Sequence, residues 1–317
     1  MTETASPVRR GRLPRIAAAF AVLLALVGYV VVQYVSGGGG APRCIVRSGD
    51  SGDSGDGTSY EFTPEQASNA ATISAVGTTR GMPERAVTIA LATALQESAL
   101  RNIEYGDRDS LGLFQQRPSQ GWGTPQQILD PVYSAGKFYD GLADVPGYSR
   151  LPLTVAAQRV QRSGFPQAYA KHEPDAVLLS AALTGRASAT LTCTPGTRTE
   201  QPGDLAKVRS ELVRSFGPEV LPPAGGSGRA GAPRPGDLTL PVSASRRGWE
   251  LAHWAVAQAS VLRIEEVSYD GKVWSADEAD EGWRSSETAP ETASEAAPES
   301  SANAKSAAGA VRIRIAQ

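Results

Sequence analysis

The chain has 317 residues, enough for one large domain or two modest ones. Aromatic residues are sparse at 6%, Gly (33) and Pro (22) are common, and alanine swells the 41% apolar fraction. A compact core over part of the chain is expected, with long connections. The formal net charge of −2 leaves no basic surplus of the kind a nucleic-acid partner requires, and none is expected.

Residues 16–35 read IAAAFAVLLALVGYVVVQYV, with no charge and only Gln33 strongly polar. As a helix this run is about 30 Å long, the thickness of a bilayer's hydrocarbon core. Arg9, Arg10, Arg12 and Arg15 precede it, and the next basic residue is Arg43. The positive-inside rule predicts a cytoplasmic basic tail over 1–15, a transmembrane signal-anchor helix over 16–35 and extracytoplasmic domains beyond. A cleaved signal peptide is the competing reading. The apolar run is long for one, and no good Ala-x-Ala site follows.

Residues 36–59 are mostly Gly, Ser and Asp and read as a linker. From Thr63 the pattern turns helical. Thr63-Pro64, Thr124-Pro125 and Asp130-Pro131 each place a capping side chain before a proline. Another helix is predicted to start at Pro83, and its residues 86–96 (AVTIALATALQ) carry no charge, as a helix buried on most sides should. Further helices are expected near 154–163 and from Pro166. Residues 60–195 therefore predict a mostly helical domain.

Residues 196–247, rich in Pro, Gly, Arg and Ser, read as a second linker. Residues 248–317 predict a small α+β module: a helix over Trp249–Leu262, strands at 264–269 and 272–274 around an Asp270-Gly271 turn, and a strand at 311–315. Residues 276–310 are Ala, Ser, Glu and Pro and read as a disordered acidic insertion. Trp249, Trp254, Trp274 and Trp283 are expected in the core of this module rather than on a ligand platform.

The two cysteines, Cys44 and Cys193, fall on the predicted outer side, where disulfides persist, and a bridge between them is expected. Two separate buried thiols are the alternative. Two distant cysteines with His172 and His253 lack metal-ligand spacing, so no metal site is expected.

The chemistry concentrates in residues 94–123, ALQESALRNIEYGDRDSLGLFQQRPSQGWG. Ala86, Ala90, Thr93 and Glu97 share one helical face, so Glu97 continues a face of small residues. A carboxyl held against apolar surroundings keeps its proton to higher pH. A proton-bearing carboxyl near neutrality suits glycosidic cleavage, where the leaving oxygen must be protonated. A surface Glu on an amphipathic helix is the plain alternative.

Glu97-Ser98, followed fifteen residues after Glu97 by Gly112-Leu113-Phe114-Gln115, resembles the lytic transglycosylase and goose-type lysozyme superfamily. The run from Gly106 to Gly123 is similar to an actinobacterial branch of wall-associated lysozyme-like proteins. The resemblance implies a mostly α, lysozyme-like domain, with Glu97 as general acid and residues 112–115 lining the sugar groove. Phe114 stands where the family has Met. The family's Ala-Tyr-Asn-Ala-Gly motif is matched only by Val160-Gln161-Arg162-Ser163-Gly164, with Gln161 at the tyrosine position. Phe165, Tyr169 and His172 follow as aromatic replacements.

Tyr105, Asp109, Gln115, Gln116, Gln161 and Tyr169 are the candidate glycan-binding residues, with Trp122 as a stacking face. No cofactor is implied. A hydrolase needs a second carboxylate, for which Asp107 and Asp109 are candidates; a transglycosylase needs only Glu97. Asp109 equally suits sugar binding, capping the next turn or an ion pair with Arg108.

The expected function is cleavage of the peptidoglycan strand between N-acetylmuramic acid and N-acetylglucosamine, outside the membrane. The competing expectation is a catalytically inactive lysozyme-like protein that binds glycan or scaffolds wall proteins. A cell-wall protein is the expected partner of the C-terminal module.

Overall fold

Helix starts follow the cap-proline pairs in the computed structural model, which describes residues 22–24, 27–28, 41–49, 57–162, 166–196, 202–222, 236–286 and 309–317. Helix α1 (Pro64–Thr79) opens on a capping box, with the Thr63 and Gln66 side chains each bonded to the other's backbone N–H. Helix α2 (Glu84–Ser98) follows Pro83. Thr124 and Gln127 form a second capping box on α3 (Pro125–Ile128), and Asp130 accepts from Val132 N at 2.8 Å to start α4 (Pro131–Ala143). Helix α5 (Leu153–Gln161), a 3-10 segment (Pro166–His172) and α6 (Glu173–Leu183) complete this helical body. Ile73, Ile89, Leu91, Phe138 and Tyr139 fill its core.

Two stretches expected as linkers contain regular structure. Residues Arg43–Arg47, inside the expected linker 36–59, form strand β1, with Cys44 and Val46 buried. It pairs antiparallel with β2 (Ser59–Phe62) on one side and β3 (Leu191–Thr194) on the other. Cys44 and Cys193 are direct cross-strand neighbours joined by a disulfide that spans 149 residues of sequence. The expected linker 196–247 contains α7 (Leu205–Phe216), which Asp204 caps and which buries Val208, Leu212 and Phe216 along one face. It also contains β4 (Asp237–Pro241).

The C-terminal part is larger than expected. Helices α8 (Ser245–Ala257) and α9 (Ala259–Leu262) lead into β5 (Ile264–Tyr269). Asp270 and Gly271, both at positive φ, turn the chain into β6 (Lys272–Ser275). Strands β7 (Arg284–Ser285) and β8 (Ala310–Ile315) complete an antiparallel five-stranded sheet of order β4-β8-β5-β6-β7. Gly248 lets α8 settle on this sheet, since a Cβ there would come within 1.9 Å of the Tyr269 ring.

Residues 276–286, expected as part of the acidic insertion, hold a 3-10 turn (Ala279–Glu281) and β7. They are ordered by contacts with β3: the Trp283 indole donates to Leu191 O at 2.8 Å, and Thr192 Oγ1 donates to Ala279 O at 2.9 Å. The remainder of that insertion up to residue 308 lies outside the described residues.

Residues 42–317 form one compact unit, and residues 1–41 another. Within the larger unit the C-terminal sheet is fastened to the helical body rather than joined by a tether. His253 of α8 is fully buried; Thr190 N donates to its Nε2 at 3.3 Å, so Nδ1 carries the proton and donates to Ala182 O at 2.8 Å. The Trp274 indole donates to Thr192 Oγ1 at 3.1 Å. Trp249, Trp254 and Trp274 are core residues, as expected, whereas Trp283 is only partly buried against the core.

Among the described residues no helix is long and apolar enough to cross a membrane. Most of the expected anchor at 16–35 lies outside them.

Two outcomes follow for stability. Replacing both cysteines by alanine is expected to lower the unfolding free energy by about 2–4 kcal/mol, because the unfolded chain regains a long loop. Urea denaturation checks this, and an unshifted midpoint counts against it. Burial pushes the His253 pKa down to about 4. An unfolded histidine titrates near ~6.5, so the unfolded chain takes up the proton first. Stability is then fully present above pH ~6.5 and is lost as pH falls from there toward ~4, by at most about 3 kcal/mol from this group. Thermal melts of His253→Gln across that window should lose this part of the slope; an identical slope refutes the assignment.

Candidate active site

Glu97 sits in the last turn of α2, whose Ala86, Ala90 and Thr93 are buried. The helix stops one residue later without a glycine. Ala99 and Leu100 both take the left-handed conformation, at φ of 53° and 58°, and donate back to Leu95 O and Ala94 O. That conformation costs an L-residue roughly 1–2 kcal/mol. Full burial of the Leu100 side chain, a gain on the order of 2 kcal/mol, offsets the cost at that residue.

The Ser98 hydroxyl lies 2.8 Å from Leu113 O and 3.1 Å from Ala94 O and donates to one at a time. It fastens the end of α2 to the segment 111–116. That segment is a tight turn closed by reciprocal backbone bonds between Leu111 and Gln116. Gly112, at φ 74°, is required because a Cβ would stand 2.7 Å from Ile128 O. Phe114 is buried against Phe138, with ring centroids 4.7 Å apart.

The Glu97 carboxyl is half-buried, and this desolvation raises its pKa. Hydrogen bonds from Tyr169 and Gln161 act in the opposite direction and are smaller in effect. Tyr169 comes from the 3-10 segment and donates to Glu97 Oε1 at 2.6 Å. Gln161 is the last residue of α5; its amide also donates to Phe114 O at 2.6 Å. The carboxyl therefore has two positioned donors from two elements.

Glu97 lines a cleft of about 940 Å³, together with Gln115, Gln116, Gln120, Trp122 and Gln161. Of the expected glycan-binding residues, Gln115, Gln116 and Gln161 do reach this cleft, but their amides are engaged within the protein. Gln115 Nε2 donates to Gly112 O at 3.2 Å, and Gln116 Nε2 donates to Ser134 O at 3.0 Å. Tyr169 is fully buried behind the carboxyl. Tyr105 is 73% exposed and is not among the lining residues.

Asp109 turns away to Arg117 Nε at 2.7 Å and Ser119 N at 2.8 Å. The Arg117 guanidinium, with the Ser119 N–H, holds its carboxyl well below the usual range. Of the alternatives open for Asp109, the geometry supports the ion pair and the turn cap, with Arg117 rather than Arg108 as partner. The carboxylates on the cleft besides Glu97 are Asp107 and Asp144. Asp144, Arg159 and Arg162 were not expected there. Only the position of Arg159 and Arg162 beside Gln161 could have signalled it. Among the described residues no three His, Cys, Asp or Glu side chains gather as a metal-binding group.

Tyr169→Phe removes a bond that favours the ionised carboxyl, so the Glu97 pKa should rise further. Carboxyl-carbon NMR titration of labelled protein reads this directly. A fall or no change would mean that the phenol is not a donor to Glu97.

A model of the family described as VldE, C-terminal domain, matches residues 223–295, under a quarter of the chain. That span contains β4, α8, α9, β5, β6 and β7 and no residue lining the cleft. No curated protein matches the chain.

Proposed function

We propose that the chain is a lysozyme-like peptidoglycan glycosidase or lytic transglycosylase, held outside a membrane by residues 16–35. The observation that carries this reading is a carboxyl on a cleft wall whose desolvation favours its protonated form. In the proposed reaction Glu97 gives its proton to the glycosidic oxygen as the bond to the muramic acid C1 breaks. Tyr169 and Gln161 keep the carboxyl aimed and then stabilise the carboxylate left behind. The positive C1 is closed in one of two ways. The muramic acid 6-hydroxyl attacks and returns its proton to Glu97, giving an anhydro sugar. Otherwise water attacks, helped by a second carboxylate. Asp109 is committed to Arg117, which leaves Asp107 and Asp144 as the second carboxylates on the cleft for the hydrolytic route. The disulfide fits an oxidising, extracytoplasmic setting.

Two observations favour the second reading, a non-catalytic glycan binder. Gln161 replaces the family's tyrosine, and the amides of Gln115 and Gln116 are turned toward the protein.

The test uses the full chain, because the C-terminal sheet is fastened to the helical body. Detergent-solubilised wild type and Glu97→Gln are incubated with purified peptidoglycan, and the products are read by mass spectrometry. Loss of the acid should lower turnover by about 10²–10⁴-fold. Anhydro products identify a transglycosylase, and reducing ends a hydrolase. Wild type releasing no more than Glu97→Gln would refute the enzyme and leave the binder.

A further inference from the structure

The charge on the cleft runs against that of the whole chain. The chain carries a net −2, yet four arginines, Arg108, Arg117, Arg159 and Arg162, line the cleft against three carboxyls, Glu97, Asp107 and Asp144. Two of these arginines already have carboxylates. Arg117 is bound to Asp109, and Arg108 lies 4.0 Å from Asp107. The side chains of Arg159 and Arg162 make no hydrogen bond or ion pair among the described residues.

Both side chains are exposed at the C-terminal end of α5. Both flank Gln161, which reaches the Glu97 carboxyl and is anchored on Phe114 O. Arg162 caps α5 in the left-handed conformation, at φ 53°. A cation near a helix C-terminus complements the helix dipole, which explains a basic residue there. It does not explain why two guanidinium groups stand on the wall of a cleft. Guanidinium presents a planar fork of donors that matches a carboxylate.

We propose that Arg159 and Arg162 hold a carboxylate carried by the substrate, so that the cleft selects acidic glycan over neutral N-acetylglucosamine polymers. The carboxylate is that of the lactyl arm of muramic acid or of the peptide attached to it. This inference rests on reading Glu97 as the acid of a glycan-cleaving site. The two arginines set specificity and take no part in the bond-breaking step.

The experiment measures binding to full-length protein carrying Glu97→Gln, which prevents turnover. The ligands are chitohexaose, peptide-free glycan strands with free lactyl carboxylates, peptide-bearing strands, and the same strands with amidated stems. Acidic strands are expected to bind at least about fivefold more tightly than chitohexaose, the scale of one or two exposed charge pairs. The preference should shrink in ~1 M salt, where the screening length is only about 3 Å.

Adding Arg159→Gln and Arg162→Gln should bring the ratio to about one, while Arg159→Lys and Arg162→Lys should keep most of it. Loss of preference on amidation places the recognised carboxylate on the peptide; equal preference for peptide-free strands places it on the lactyl arm. An unchanged ratio in a double Gln variant that melts like its parent overturns the proposal. So does stronger competition by a glycerol-phosphate polymer, which would make phosphate the ligand. Neutral and acidic glycans binding equally well refutes only the role of the arginines. Binding of neither refutes the glycan reading itself.

Discussion

Taking the Glu97 carboxyl partly out of water sets the requirement that the surrounding elements meet. Desolvation favours the protonated group, and a carboxyl without donors on that site would be both costly and free to wander. Two donors from separate elements fix it, Tyr169 from the 3-10 segment and Gln161 from the end of α5. Those donors are fixed in turn. Gln161 is tied to Phe114 O, and Ser98 ties α2 to the same turn through Leu113 O. Side chains from α5 and the 3-10 segment thus meet the carboxyl at the end of α2, and the turn 111–116 braces both α5 and α2. Their bonds oppose the desolvation without outweighing it, which leaves a carboxyl able to hold a proton yet stable once the proton leaves.

What was legible in the sequence was mostly local. Thr63, Thr124 and Asp130 announce helix starts because a cap and its proline act within one turn. The uncharged run before Glu97 announced a buried helix for the same reason. Strand β1 was hidden because Arg43–Arg47 stands among Gly, Ser and Asp, and its partner β3 lies 149 residues away at the disulfide. Helix α7 was hidden by its flanks, although Leu205, Val208, Leu212 and Phe216 recur at helical spacing. At the site, motif spacing pointed to Glu97 and to the segment 112–115. The part Tyr169 plays depends on how the 3-10 segment folds back, and no spacing carries that. Asp109 offered several roles on paper, and a single guanidinium eight residues later selected among them.

The C-terminal sheet changes how the chain divides. Composition suggested a catalytic domain, a tether and a small accessory module. Instead β3 is a shared element. One side of it pairs with β1, while Trp283, Trp274 and Ala279 bond to its residues from the C-terminal part. His253 adds two buried bonds across the seam, to Ala182 and Thr190. The helical body therefore owes part of its boundary to residues more than sixty positions beyond it, and the two parts are expected to unfold together.

The cross-link at β1 also has a mechanical meaning. Beyond Ala41 the chain enters the larger unit at once as a strand, in the middle of a three-stranded sheet, with Cys44 bonded to Cys193 on the neighbouring strand. Within the larger unit, tension applied from the N-terminal side meets this covalent link before it reaches any helix. The load passes to β3, which pairs with β1 and is bonded by Trp274 and Trp283 from the C-terminal part. A pull at that end thus loads a disulfide-braced sheet before the helix that carries Glu97.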